Sequence, residues 1–114
     1  TYSAKYVSDN SKLLIPAPLP DAVREDIRRV AVQVYKAIDC AGMARVDFLI
    51  DPRSLEIYVS EVNTIPGFTS ISMYPKLWEA SGLSYPALIE KLIDLALERK
   101  ADRDQTEFTN RREA

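Results

Sequence analysis

Residues 44–63, ARVDFLIDPRSLEIYVSEVN, constrain the fold of this chain more than any other stretch. Two β-prone segments flank Asp51-Pro52-Arg53-Ser54, a run of turn-forming residues, and so short a break between strands favours an antiparallel hairpin. GMARVDFLI and LEIYVSEV are the expected strands, with DPRS as their turn. What surrounds them is mostly helical. Asp21 can cap a helix in which Val23, Ile27, Val30, Ala31, Val34 and Ile38 follow helical spacing, ending near Asp39. A short helix is expected around YPKLWEAS, with Pro75 in its first turn. Ser84 is the expected cap of a last helix whose apolar stripe is Tyr85, Leu88, Ile89, Leu92, Ile93 and Ala96. The opening TYSAKYV is β-prone. The fold class is α+β: an antiparallel sheet with helices packed on one face. Residues 1–100 form one small domain. Residues 101–114, ADRDQTEFTNRREA, hold Phe108 as their one large apolar side chain, too little burial to order a segment, and are expected to be a disordered tail.

Charge and residue usage narrow the chemistry. Fifteen basic and seventeen acidic residues give a net charge of -2, which points to neither nucleic acid nor an anionic membrane as partner. No apolar run approaches the ~20 residues of a membrane span. With no histidine among its 114 residues, the chain cannot build a Ser-His-Asp or Cys-His hydrolase and lacks the imidazole that catalytic zinc sites favour. The single cysteine, Cys40, is expected to be a buried packing residue. Carboxylates, amides, Lys, Arg and backbone groups remain. The chain opens on a strand-like segment without an initiator methionine and reads as a fragment of something longer.

Side chains two apart in a strand share a face, so Arg45 pairs with Asp47 and Glu61 with Asn63. A hairpin loop of odd length brings both pairs onto one face; an even loop sends them to opposite faces. The odd register is the one expected here. It would gather two carboxylates, a carboxamide and a guanidinium, either as an ordinary cross-strand Arg45–Glu61 ion pair or as a cation site. Two carboxylates about 4 Å apart repel by roughly 4 kcal/mol at an effective dielectric near 20, and a divalent cation reverses that sign. Oxygen-only ligands select a hard ion such as magnesium. The stretch that follows, NTIPGFTSISMYP, combines a Pro66-Gly67 turn with several hydroxyl residues. It is either a plain turn or a binding loop in which Gly67 lets a backbone N–H approach a ligand.

ARVDFLID, followed ten residues later by EVNTIPGFTSISMYPKLWEASGLSY, resembles the C-terminal part of the D-alanine-D-alanine ligase family within the ATP-grasp superfamily. AKYVSDNSKLLIPAPL is similar to that family's mobile loop over the active site. The resemblance runs from about Tyr2 to Arg99. It implies an ATP- and magnesium-dependent ligation of two D-alanine molecules through an acyl phosphate, serving peptidoglycan precursor synthesis in the bacterial cytoplasm. Asp47, Glu61 and Asn63 match the ligands of two magnesium ions, with manganese as a substitute, and Glu61 bridges. Arg45 matches the arginine facing the acyl phosphate, and Gly67 the glycine whose N–H faces the oxyanion. Ser72 and the backbone of Met73 match the site for the second D-alanine's carboxylate, Leu49 a wall of the adenine pocket, and Lys5 and Tyr6 the lid pair. The implied partners are ATP, two D-alanines and the remainder of the same ligase chain, with a homodimer when full length. The family's groups for the first D-alanine and for the ATP phosphates do not fit in 114 residues, so the segment is expected to be inactive alone. Another carboxylate-amine ligase, or a binding or oligomerisation module that has lost catalysis, is the alternative.

Overall fold

The computed structural model describes residues 12–113, with side chains described as far as residue 106. The opening strand expected at TYSAKYV and the lid residues Lys5 and Tyr6 lie outside the described residues. In chain order the elements are α1 (Asp21–Ala37), β1 (Arg45–Ile50), β2 (Ile57–Asn63), α2 (Met73–Ala80) and α3 (Tyr85–Glu113). The α+β class is as expected, and the described sheet consists of β1 and β2, antiparallel.

Helix α1 begins where expected by a different device. Pro20 occupies the N-cap position and no side chain caps the helix. Asp21 is instead the first helical residue, where its charge meets the positive end of the helix dipole and pairs with Arg24. Arg28–Glu25 and Arg29–Asp26 repeat the same spacing along the exposed face. The helix stops two residues before Asp39, which takes the left-handed conformation (φ 52°). Its N–H and that of Cys40 then close onto the carbonyls of Lys36 and Tyr35, both at 3.1 Å, satisfying two of the acceptors that a helix end leaves orphaned. Cys40 itself is half-buried rather than buried, its thiol turned toward the Met43 carbonyl.

The hairpin loop is organised by Asp51. Its carboxylate accepts from the N–H groups of Arg53 (2.7 Å) and Ser54 (2.9 Å), and these two bonds hold its pKa below the ordinary carboxylate value. Residues 51–56 separate the last strand pair, Ile50 with Ile57, so the loop is even in length. The odd loop is therefore a wrong expectation, yet Arg45 lies opposite Asn63 and Asp47 opposite Glu61. A β-bulge reconciles the two. Phe48 pairs with Val59 while Asp47 pairs with Glu61, so Ser60 is an extra residue on β2 that restores the phase the even loop would have lost. The result is one polar face, with Arg45, Asp47, Glu61 and Asn63, and one apolar face, with Val46, Phe48, Ile50, Ile57, Val59 and Val62. Helix α1 packs against β1.

The best-buried residues lie elsewhere. Leu88 (2% exposed) on α3 and Tyr74 (6%) on α2 are the core, together with buried Pro66 and Pro75. Around them Phe68 meets Tyr74 (ring centroids 6.0 Å) and Tyr85 (5.3 Å) at a tilt, and Tyr74 meets Trp78 edge-on (6.4 Å). Helix α2 closes on Gly82, whose φ of 97° suits glycine, with Leu83 N–H bonded to the Trp78 carbonyl. Ser84 caps α3 as expected, accepting the Ala87 N–H at 3.4 Å.

Helix α3 does not end near residue 100. It continues through the segment expected to be a disordered tail. Side chains 101–106 are exposed, so burial does not hold that part of the extension. Composition alone misled because a helix templated by a packed first half needs no nucleus of its own, and propagation costs little in a segment free of Gly and Pro. Local pairs add to it: Lys100 to Asp104 at 2.6 Å, and the Thr106 hydroxyl to the Asp102 carbonyl at 3.0 Å.

Candidate functional site

The polar face of the hairpin is held together by its own charges. Arg45 grips Asp47 with both ends of its fork, Nε to Oδ1 at 2.8 Å and a terminal nitrogen to Oδ2 at 2.9 Å, and reaches Glu61 at 4.0 Å. The Asn63 amide donates toward Glu61 (3.3 Å) and Asp47 (3.5 Å). Arg45 and Asp47 keep 27% and 33% of their side-chain surface exposed, and Glu61 47%. The cluster is therefore paired internally and still open to solvent. The Asp47 hydrogen bond, opposed by partial burial and aided by both carboxylates, raises the Arg45 pKa above its ordinary value, so the guanidinium stays charged. Leu49 continues the same face and lies opposite Tyr58; it is 65% exposed.

Such a cluster fits a hard cation by donor chemistry. Among the described residues no three His, Cys, Asp or Glu side chains gather, so the set is two carboxylates completed by the Asn63 carboxamide, all oxygen on the ligand side. Arg45 and the Asn63 amide supply the compensating donors. An incoming cation would exchange these contacts for its own.

Residues 64–72 lead from Asn63 to α2, and the aromatic core backs them. Pro66 is buried, and Phe68 turns in toward Tyr74 and Tyr85. Ser72 stands at the N-cap of α2 without capping it. Its hydroxyl faces back into the loop, accepting the Thr69 N–H (3.0 Å) and lying 2.7 Å from the Thr69 hydroxyl. The first N–H groups of α2 are thus left to other acceptors, and the helix dipole points at them. Gly67 is not left-handed, so backbone strain does not explain the glycine; space does. A Cβ there would sit 3.2 Å from the Ser72 hydroxyl and 3.7 Å from its Cβ.

The family model described as D-ala D-ala ligase C-terminus matches residues 1–94. The chain belongs to that ligase family. A D-alanine–D-alanine ligase of Acetivibrio thermocellus is 58% identical over 101 residues, covering 89% of this chain and 27% of the relative. One from Clostridium acetobutylicum is 60% identical over 98 residues, covering 86% and 29%. Among solved structures, the ligase from Coxiella burnetii superposes with a TM-score of 0.84 at 42% identity, covering 89% of this chain and 29% of that one. The Bacillus anthracis enzyme complexed with ATP gives 0.70 at 34% identity, covering 75% and 30%. The chain thus spans between a quarter and a third of the length of the ligases it matches.

Within this segment of the ligase family, the hairpin brings Arg45, Asp47, Glu61 and Asn63 together, and the loop brings Gly67 against Ser72. Met73 opens α2 and Leu49 stays on the acidic face. Thr69 and Tyr85 were missed by sequence reasoning. A hydroxyl pair at Thr69-x-x-Ser72 spacing is a usable signal for the first. Tyr85 looked like one more residue of an apolar stripe.

Proposed function

We propose that this chain is the C-terminal part of an ATP- and magnesium-dependent enzyme that joins two D-alanines into D-alanyl-D-alanine in the bacterial cytoplasm, for peptidoglycan precursor synthesis. The observation that carries this reading is the bulged register, which sets two carboxylates, a carboxamide and a forked guanidinium on one open face at the start of the Gly67–Ser72 loop.

In this reading Asp47, Glu61 and Asn63 would hold magnesium through their oxygens, with Glu61 contributing a full negative charge. Magnesium, when bound, neutralises and orients the transferring phosphoryl group. Arg45 presents its planar fork to the charge on the acyl phosphate and on the tetrahedral species that follows. The Gly67 N–H faces the developing oxyanion. Ser72 and the first N–H groups of α2, at Met73, receive the carboxylate of the second D-alanine, where the helix dipole favours an anion. Leu49 offers an apolar wall to adenine, and Lys5 and Tyr6 cover the site. Groups for the first D-alanine and for the ATP phosphates come from the rest of the ligase. The full-length protein is a homodimer in this reading.

Full-length protein given ATP, magnesium and D-alanine is expected to release ADP, phosphate and D-alanyl-D-alanine, whereas the 114 residues alone release none. Failure of the full-length protein to form the dipeptide would sink the proposal. At Gly67 the prediction is steric. Gly67→Ala presses a methyl group against a Ser72 hydroxyl that Thr69 already holds, and the loop must yield by a few tenths of an ångström. Misplacement of reacting groups on the order of 1 Å costs up to roughly a hundredfold in rate, so a drop of about tenfold in kcat/KM is expected, with a nearly unchanged melting temperature. Wild-type kinetics in Gly67→Ala would show that the space in front of Ser72 is not used.

A further inference from the structure

We infer that Tyr85 is a positioning residue for acceptor recognition: its hydroxyl fixes the Phe68–Thr69 peptide group, and through it the Ser72 hydroxyl. This role rests on the ligase reading above, which makes no use of Tyr85.

One peptide unit is held at both ends. The Tyr85 hydroxyl donates to the Phe68 carbonyl at 3.2 Å, and the N–H of the same peptide, that of Thr69, donates to Ser72 Oγ at 3.0 Å. A hydrogen bond to the carbonyl polarises a peptide group and strengthens donation from its N–H, so the two bonds support each other. Rotation of that plane would release both at once. It would also disturb Gly67, which precedes Phe68 in the chain and stands against Ser72.

Tyr85 is itself firmly placed. It is the first residue of α3, and the Ser84 carbonyl accepts the Leu88 N–H at 2.8 Å, with Leu88 2% exposed one turn on. Pro86 stiffens the backbone beside it. The Tyr85 ring lies 5.3 Å from that of Phe68, so one residue holds both the side chain and the carbonyl of Phe68. A phenylalanine would preserve the ring contact and lose only the bond to the backbone. The hydroxyl and the ring can therefore be separated by experiment.

In the full-length ligase, Tyr85→Phe is expected to raise the D-alanine concentration for half-maximal dipeptide formation by about three- to tenfold, the factor one neutral hydrogen bond is worth. KM for ATP should stay within about twofold and the melting temperature within a few degrees, since the ring remains. In a Ser72→Ala background the same change should add less than about twofold, because both residues act through one peptide group. An unaltered D-alanine dependence in Tyr85→Phe would overturn the role, as would full additivity with Ser72→Ala. A parallel rise in KM for ATP with a large fall in melting temperature would also overturn it, marking the hydroxyl as a general structural bond. If the unmutated protein makes no dipeptide, the ligase reading fails and this assignment with it; if it does and Tyr85→Phe behaves as wild type, this assignment alone fails.

Discussion

Glu61→Gln in the full-length ligase is expected to lower kcat at least about a hundredfold at saturating magnesium and ATP, equivalent to roughly 3 kcal/mol of transition-state stabilisation. The substitution keeps size, shape and one carbonyl oxygen, and removes a negative charge. Its folding cost should be small. Glu61 is half-exposed, and its ion pair with Arg45 spans 4.0 Å, a contact worth about 0–1 kcal/mol at a surface. Glutamine can still accept the Asn63 amide bond that Glu61 accepts at 3.3 Å. Stability and catalysis therefore separate in this variant. A melting temperature close to wild type beside a collapsed kcat is the expected pair of results, and on the proposed reading excess magnesium should not restore the rate, because a neutral amide would replace a charged magnesium ligand. Near-normal turnover would count against the acidic face as the metal site.

Arg45→Lys is expected to be the other severe change, although it preserves charge. The fork spans both oxygens of Asp47 at 2.8 and 2.9 Å while reaching toward Glu61, and a lysine ammonium offers a single point in place of that plane. Losing one arm of a charged, partly buried hydrogen-bonded pair costs about 1.5–3 kcal/mol, so kcat/KM should fall by roughly ten- to a hundredfold. Some destabilisation, about 1 kcal/mol, should accompany it, because a lysine ammonium cannot span both Asp47 oxygens as the fork does. Steady-state kinetics with ATP and D-alanine varied in turn distinguish the two effects. Turnover within threefold of wild type would show that the site needs only a positive charge at this position.

The hairpin, the helix starts near Asp21 and Ser84, and the turn at Asp51 were legible because each rests on local chemistry. Periodicity, capping residues and turn residues act within a few positions. The gathering of Arg45, Asp47, Glu61 and Asn63 was anticipated for a faulty reason. The expectation puts the parity in an odd loop, whereas the loop is even and Ser60 carries the correction. Nothing in Val59-Ser60-Glu61 marks a bulge, since the usual glycine is absent and any residue can be the extra one. The helix end near Asp39 is legible, but not its left-handed conformation, because such an end more often announces itself with glycine. Tyr85 was invisible for a different cause. Its partner is a main-chain carbonyl distant in sequence, and no spacing rule reports such a bond.

Helix α3 joins two regimes in one rod. Leu88 and Leu92 tie its first half to the body of the domain, while residues 101–106 have backbone bonds and a few surface pairs. A segment of that kind behaves as a zipper, opening residue by residue with no barrier of its own, whereas the packed half can be lost only together with the aromatic core. Helicity and foldedness are accordingly different quantities for this chain. Early loss of far-ultraviolet ellipticity on warming would report the zipper, and a single two-state fit to that signal would assign to the domain a breadth of transition that belongs to its last turns.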